Sequence, residues 1–355
     1  MTKVHNFSAG PSILSQYALN KSAADLKNFA NTDLSVLEVS HRGKEFVKVV
    51  DEAIQLVKEL LSVPETHDVI FMQGGASTQF FQLAHNFLRT KAAYSDTGTW
   101  SSKAIKEAKL YGEVDVVASS KDTNYNYVPT GYTISSDCDY LHITSNNTIF
   151  GTQIQEFPKT DIPVICDMSS DIFSRPINVS DFDMIYAGAQ KNMGPAGVTL
   201  VIINKEMYQR RADRPLPSML NYELIASKDS MFNTPPCFPI LVSKYNLEWM
   251  RDNGGVQGME ARNSAKADLL YDAIDKSPYF KGTAEKGSRS RMNVCFVFEE
   301  AHVGLEEKFG MACAKAHISG IKGHRSVGGY RASIYNAMDI ESVQALVNVI
   351  ENFNA

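Results

Sequence analysis

A lysine, Lys191, lies between two apolar runs, 184–188 and 198–204, with Ala187, Gly188, Ala189, Gly194, Ala196 and Gly197 close on either side. Lysine is among the residues least often buried. The small neighbours admit two explanations: a solvated amine at a loop tip, or an amine that does covalent chemistry. Asp167 ends a second apolar run, 163–167, where a carboxylate either caps the next segment or holds a cation. Trp100 follows a third run, 92–96, as a core residue or as an aromatic plate at the mouth of a site. Gly74-Gly75-Ala76-Ser77 follows a fourth, 69–72, and opens a helical pattern. Free N–H groups and the helix dipole at such a turn favour an anion, although glycine is also an ordinary turn residue.

Together these four parts suit one cofactor, pyridoxal phosphate. A Schiff base with the cofactor aldehyde needs a desolvated amine of lowered pKa, the role open to Lys191. A carboxylate at Asp167 would keep the pyridine nitrogen protonated and the ring a strong electron sink. Trp100 would stack on the ring, and the 74–77 turn would hold the phosphate. On this reading the small residues around Lys191 let the cofactor approach the backbone. The chain has no G-x-G-x-x-G and no G-x-x-x-x-G-K-[ST], which weakens the case for a dinucleotide or ATP.

Such residues have to be carried to one place by a scaffold. The runs 69–72, 92–96, 114–119, 139–145, 163–169, 183–188 and 198–204 are β-rich, and helical patterns separate several of them. This alternation predicts an α/β fold, a mostly parallel sheet covered by helices on both faces. Ligands collect beyond the carboxyl ends of parallel strands, where the 74–77 turn, Trp100, Asp167 and Lys191 all fall. After residue 255 the texture becomes α+β. It ends in a helix from Asp339, an N-cap candidate, with an apolar stripe at Val343, Leu346, Val347 and Ile350. The expected organisation is a large domain over 16–255 and a smaller α+β domain over 256–355 that also takes 1–15, with a cleft between them. The proline-bearing stretches 211–220 and 233–240 read as loops of the large domain.

With 355 residues and a formal net charge of −5, the chain suits two packed domains. It does not suit a partner bound through basic charge, such as nucleic acid or an anionic membrane. Five scattered cysteines without a C-x-x-C pair suggest neither a zinc site nor a disulfide framework, and no metal is expected. The segment 1–16 lacks the apolar core of a signal peptide, and no run is long enough to span a bilayer. The expectation is a soluble, cytoplasmic protein.

The segments NFSAGPSIL, EVSHRGKEF, FMQGGAS, DTGTW, CDMSSDIFSRP, YAGAQKNMGPAG, FNTPPCFPI, SRMNV and GHRSVGGYRASIYNA extend from one end of the chain to the other. Through them the chain resembles the phosphoserine aminotransferases, a family of class V aminotransferases in the fold-type I pyridoxal-phosphate superfamily. The resemblance implies that Lys191 carries the Schiff base and shuttles the proton between the substrate Cα and the cofactor. It implies that Asp167 pairs with the pyridine nitrogen and that Trp100 stacks on the ring. Ala76, Ser77 and Gln190 become phosphate ligands, and Thr148 a contact on the ring-oxygen side. Asn233 and Thr234 are expected to reach the cofactor phosphate of the neighbouring subunit, in a homodimer with shared sites.

Substrate residues follow from the same resemblance. Arg331 would bind the α-carboxylate, a task suited to a guanidinium fork. Two His-Arg pairs, His41–Arg42 and His324–Arg325, match the family's clamp for the substrate phosphate, one pair coming from across the dimer. The implied reaction moves the amino group of L-glutamate to 3-phosphohydroxypyruvate, giving O-phospho-L-serine and 2-oxoglutarate in serine biosynthesis. The glutamate γ-carboxylate then takes the place of the phosphate. The 4-phosphohydroxythreonine pair of vitamin B6 biosynthesis belongs to the same expectation. Asn147 stands where the family often has glutamate, and Ser15 where proline is frequent. The alternatives are another class V enzyme, such as a serine–glyoxylate aminotransferase or a cysteine desulfurase, and a non-catalytic phosphate-binding α/β protein.

Overall fold

The computed structural model describes residues 3–325 and 327–354. The central sheet has the strand order His67–Met72, Thr199–Asn204, Met184–Gly188, Val164–Asp167, Leu141–Thr144, Lys91–Asp96 and Glu113–Ser119. Thr199–Asn204 runs antiparallel to both of its neighbours, and the other six strands share one direction. Leu141–Thr144 and Met184–Gly188 are buried at every residue, as strands covered on both faces must be.

Alternation along each strand feeds two cores. Val69 and Phe71 pack with the helices Lys44–Leu61 and Cys237–Asp252, while Ile70 and Met72 pack with Gly75–Phe87 and Thr99–Ala108. The Lys44–Leu61 helix buries Phe46, Val49, Val50, Ala53, Leu56 and Val57 as one stripe at helical spacing. Each large apolar side chain there contributes roughly 1.5–3 kcal/mol by leaving water. The stretch 233–240, expected to be a loop throughout, is a loop only as far as Pro236. Cys237 begins the helix Cys237–Asp252, which buries Ile240, Leu241 and Leu247. Pro239 is tolerated in its first turn, where the backbone N–H has no intrahelical acceptor to lose. The other proline-bearing stretch contains only a short 3₁₀ turn, Ser218–Leu220.

Phe280–Gly282, Asn293–Phe298 and Tyr330–Ser333 form a separate antiparallel sheet. Its core holds Phe280, Phe296, Phe309, Val343 and Leu346, and Phe7 enters it as well. The segment His5–Asn6 pairs in parallel with Ile318–Ser319, which ties the beginning of the chain to its last quarter. The helix Gly255–Lys276 spans both units: Val256 and Met259 lie in the first core, Ala267, Leu270 and Ile274 in this one. Asp339 caps the last helix by accepting from the Ser342 N–H at 2.7 Å, and Ser15 caps Gln16–Asp25 by accepting from the Ala18 N–H at 3.2 Å. Among the described residues no helix is long and apolar enough to cross a membrane. Ser326, inside the motif 323–337, lies outside the described residues, as do Met1, Thr2 and Ala355 at the ends of the expected domains.

Candidate active site

Four parallel strands, ending at Met72, Asp96, Asp167 and Gly188, bring residues picked out by the sequence to one edge of the sheet. A cavity of about 220 Å³ there is lined by the 74–77 turn, Trp100, Asp167, Gln190 and Lys191. Thr144, Asn146, Ser169 and Ser170 complete the lining.

Lys191 sits on the connection between Met184–Gly188 and the antiparallel Thr199–Asn204. Ser12 fixes that connection from outside: its N–H donates to Gln190 O at 3.0 Å and its Oγ to Lys191 O at 2.5 Å. The Lys191 Nζ donates to Thr148 Oγ1 at 3.0 Å and lies 5.7 Å from the centre of the Trp100 ring. Burial pulls its pKa down to about 8; Asp167 and Asp171 oppose the shift and Arg331 reinforces it.

Asp167 is 4% exposed, and its Oδ1 accepts from the Ser169 N–H at 2.9 Å. Burial raises its pKa against the pull of Ser169 and Lys191. Behind it lies a second buried carboxylate, Asp171, which accepts from Ser145 Oγ and, at 3.1 Å, from Gln153 Nε2. Thr144 is the register partner of Asp167, so both side chains fall on the same face of the sheet. Among the described residues the buried Thr144 Oγ1 and Trp100 Nε1 have no hydrogen-bond partner. Trp100 is placed by the turn after Asp96, where Ser101 Oγ accepts from the N–H groups of Thr97 and Gly98, both at 2.9 Å.

Gly74 precedes the helix Gly75–Phe87 with φ +97°, and a Cβ there would meet Thr78 Oγ1 at 2.0 Å. Only glycine permits that turn, which opens the first helical turn at Ala76 and Ser77. Some of the small residues around Lys191 have a packing cause. A Cβ on Gly194 would lie 2.1 Å from Ser243 Oγ, and Ala187 and Ala189 are fully buried in the core shared with the helix Cys237–Asp252. Gly194 thus makes room for that helix, whereas a Cβ on Gly188 would meet Gln190 Oε1 at 2.7 Å.

Thr148 is buried, and its carbonyl accepts from Arg331 Nη1 at 3.4 Å. Strand alternation sends Tyr330 into the small core and turns Arg331 to the opposite face, toward Thr148. The neighbouring Asn147 donates to Thr152 Oγ1 at 3.0 Å, while its buried Oδ1 has no partner among the described residues. Asn233 lines a neighbouring cavity of about 300 Å³ that shares Gly74, and Thr234 O accepts from Gln73 Nε2 at 2.9 Å. Neither residue lines the Lys191 cavity. His41 and Arg42 precede the helix Lys44–Leu61, with Arg42 exposed and His41 Nε2 buried without a partner among the described residues. They too lie outside the cavity lining of their own chain, as do His324 and Arg325. Sequence reasoning missed Thr144, Asn146, Ser169 and Ser170. Thr144 ends a parallel strand and could have been found by the same rule that found Asp167.

The chain from residue 4 to 346 matches the family model for class-V aminotransferases. It is 56% identical to a phosphoserine aminotransferase of Parabacteroides distasonis over 351 residues, 99% of each chain. The solved phosphoserine aminotransferase of Bacillus circulans subsp. alkalophilus superposes with a TM-score of 0.95 at 43% identity, covering 98% of both chains. The PLP-bound phosphoserine aminotransferase of Trichomonas vaginalis superposes with a TM-score of 0.94 at 38% identity, covering 99% of this chain and 100% of that one. With the lysine, carboxylate and indole gathered at one sheet edge and these likenesses over the whole length, the chain belongs to the class-V aminotransferases, and within them to the phosphoserine aminotransferases.

Proposed function

We propose that this chain is a pyridoxal-phosphate transaminase that moves the amino group of L-glutamate to 3-phosphohydroxypyruvate, yielding O-phospho-L-serine and 2-oxoglutarate. The observation that carries the proposal is Lys191, an amine held at the sheet edge with its pKa pulled down to about 8, near Trp100 and the Asp167 charge. The surrounding residues suit the cofactor. Beyond its chain neighbours and its own helix, no atom of the described residues lies within 4 Å of the place a Cβ would take on Gly75, at the turn that would cradle a phosphate. The buried, unpartnered Trp100 Nε1 and Thr144 Oγ1 are polar groups suited to a polar ligand at this edge.

Ala76, Ser77 and Gln190 would hold the cofactor phosphate, Trp100 its ring face, Asp167 its ring nitrogen and Thr148 its ring-oxygen side. When bound, the cofactor supplies an aldehyde for covalent linkage to Lys191 and a ring that drains charge from the substrate Cα. The residues do the rest. Arg331 takes the substrate α-carboxylate and so points the Cα–H at Lys191. The Lys191 amine, once free, would take up the proton at the substrate Cα and hold it for return. Asp167, buried beside the cavity, would pair with the ring nitrogen and favour its protonated form. His41–Arg42 of one subunit and His324–Arg325 of the other form the clamp for the distal phosphate, and Asn233 and Thr234 reach the partner's cofactor phosphate. The proposal therefore includes a homodimer, built from subunits divided as 16–255 and 256–355 with 1–15. It extends to the 4-phosphohydroxythreonine pair and to work in the cytoplasm.

A desulfurase reading needs a cysteine on an open loop. Cys138, Cys166, Cys295 and Cys313 are buried, and Cys237 is half-buried at a helix start. The test is the visible spectrum of the purified holoenzyme with O-phospho-L-serine and, separately, L-serine. The coloured band should bleach with the phosphorylated amino acid and hardly respond to the other. Equal response to both would remove the phosphate clamp from the proposal, and a protein that takes up no pyridoxal phosphate would end it.

A further inference from the structure

We propose that Asp96 is a positioning residue for the reaction: its carboxylate sets the direction of the Trp100 indole, and through it the seat of the cofactor ring. The inference rests on the transaminase reading above, in which that indole stacks on the cofactor. Asp96 ends the strand Lys91–Asp96, and Trp100 stands in the first turn of the helix Thr99–Ala108 that follows. Asp96 Oδ1 accepts from Ser102 Oγ at 2.6 Å and lies 3.2 Å from Ser101 Oγ. Its Oδ2 accepts from Tyr125 OH at 3.3 Å. An ordinary helix cap accepts backbone N–H groups. Among the described residues this carboxylate takes hydroxyls instead, while Ser101 Oγ serves the N–H groups of Thr97 and Gly98.

These contacts close a frame around Trp100. Ser101 and Ser102 follow the indole directly on the helix. Holding both hydroxyls at one carboxylate fixes the rotation of the helix about its axis, and with it the side on which Trp100 emerges. Tyr125 comes from beyond the next strand, Glu113–Ser119, and has a φ of +58°. A tyrosine adopts that conformation only where its surroundings hold it. Its ring centre lies 4.8 Å from that of Phe150, and Trp100 packs against the cluster the two form with Ile149. In the cavity lining the indole meets Lys191, whose Nζ lies 5.7 Å from the ring centre. A Cβ on Gly98 would meet Asn147 Oδ1 at 2.6 Å, so the turn is seated against the residue before Thr148. Hydrogen bonds to an ionised group are the stronger kind, which suits a carboxylate at the centre of such a frame.

The experiment compares wild-type, D96N, D96A and S102A holoenzymes by three readings. These are the induced circular dichroism of the visible band at saturating pyridoxal phosphate, cofactor affinity by equilibrium dialysis, and urea denaturation. W100F supplies the reference for a site without the indole. D96A should move the dichroism toward that of W100F and weaken cofactor binding about three- to tenfold, as loss of charge-assisted contacts would. S102A, which keeps the carboxylate, should move both readings the same way by less, and it decides the matter if D96A fails to fold. D96N should stay close to wild type, since an amide oxygen still accepts from Ser102 and the amide NH2 donates to Tyr125 OH. A lower urea midpoint in D96A and S102A with wild-type dichroism and affinity would mean support of the helix alone and overturn the inference. D96N displaced as far as D96A would overturn it too, charge then being the cause rather than the frame. W100F indistinguishable from wild type would remove the indole from the cofactor, and the inference with it. Wild-type protein that shows no visible band with pyridoxal phosphate would overturn the transaminase reading itself.

Discussion

At Lys191, burial and charge act in opposite directions. The carboxylates of Asp167 and Asp171 favour the ammonium, yet desolvation outweighs them and Arg331 adds to it, leaving the pKa at about 8. An ordinary lysine loses its proton near about 10.4, so the shift makes free amine available two units earlier. Lowering the pKa moves the onset of nucleophilicity toward lower pH. The rate at which cofactor-free protein rebuilds its visible band with pyridoxal phosphate should rise with pH, with a midpoint near about 8, and then level off. Stopped-flow absorbance from pH 6.5 to 10 would measure it as a titration. A rate still climbing tenfold per unit at the top of that range would show an unshifted lysine and contradict the account. Lys191→Ala should form no such band at any pH.

The elements that hold the site draw on local chemistry that can be tested away from it. Asp339 caps the last helix through Ser342 and lies 2.8 Å from Lys3. Burial pushes its carboxyl up, but Lys3 and the Ser342 contacts prevail and hold it at about 2. Lys3 is half-exposed, so the ion pair adds little and the cap dominates. Asp339→Ala should cost about 1 kcal/mol at pH 7, read by urea denaturation. A carboxyl with a depressed pKa stabilises the fold above the ordinary carboxylate range and loses that effect as pH falls toward 2. The gap between wild type and variant should therefore narrow between pH 4 and pH 2; a gap that widened on acidification would mean the cap is not the cause. The same reading of caps accounts for Ser15, whose hydroxyl does for Gln16–Asp25 what Asp339 does for the last helix.

Across the whole molecule, a buried polar network joins the cavity to the small unit. Asn146 Nδ2 donates to Ser170 Oγ and to Asn293 Oδ1, both at 2.8 Å, and Asn293 Nδ2 donates to Tyr335 OH at 3.2 Å. Tyr335 in turn donates to Ala9 O at 2.8 Å. Every polar group in that chain is partnered, which favours one relative placement of the two units. On the outside, Leu19, Leu26, Leu34 and Leu37 are exposed in the segment that leads to His41 and Arg42. An apolar surface that runs into one half of the proposed clamp fits a second copy of the chain. If the sites are shared, mixing inactive Lys191→Ala subunits with inactive Arg42→Ala subunits should restore activity. Random exchange makes half the dimers hybrid, each with one complete site, so recovery should reach about a quarter of wild type. No recovery after verified subunit exchange would place Arg42 in the site of its own chain.

The strand runs, the rim residues Asp167, Trp100 and Lys191, the glycine turn at Gly74 and the cap at Asp339 could all be read in the chain, because each depends on local rules. Apolar runs make strands, parallel strands deliver ligands at one end, and a turn with positive φ calls for glycine. The helix from Cys237 was hidden because Pro235 and Pro236 precede it and Pro239 falls in the one turn that tolerates proline. The packing need at Gly194 was hidden for a related reason: the group that takes the space, Ser243, lies far along the chain and arrives there only by folding. Residue types and spacing by themselves determined the sheet, the order of its loops and the identity of the amine and carboxylate. Only the tertiary structure decided that Thr148 and Arg331 stand beside that amine, since charge and desolvation act through space and those distances are set by packing between elements remote in sequence.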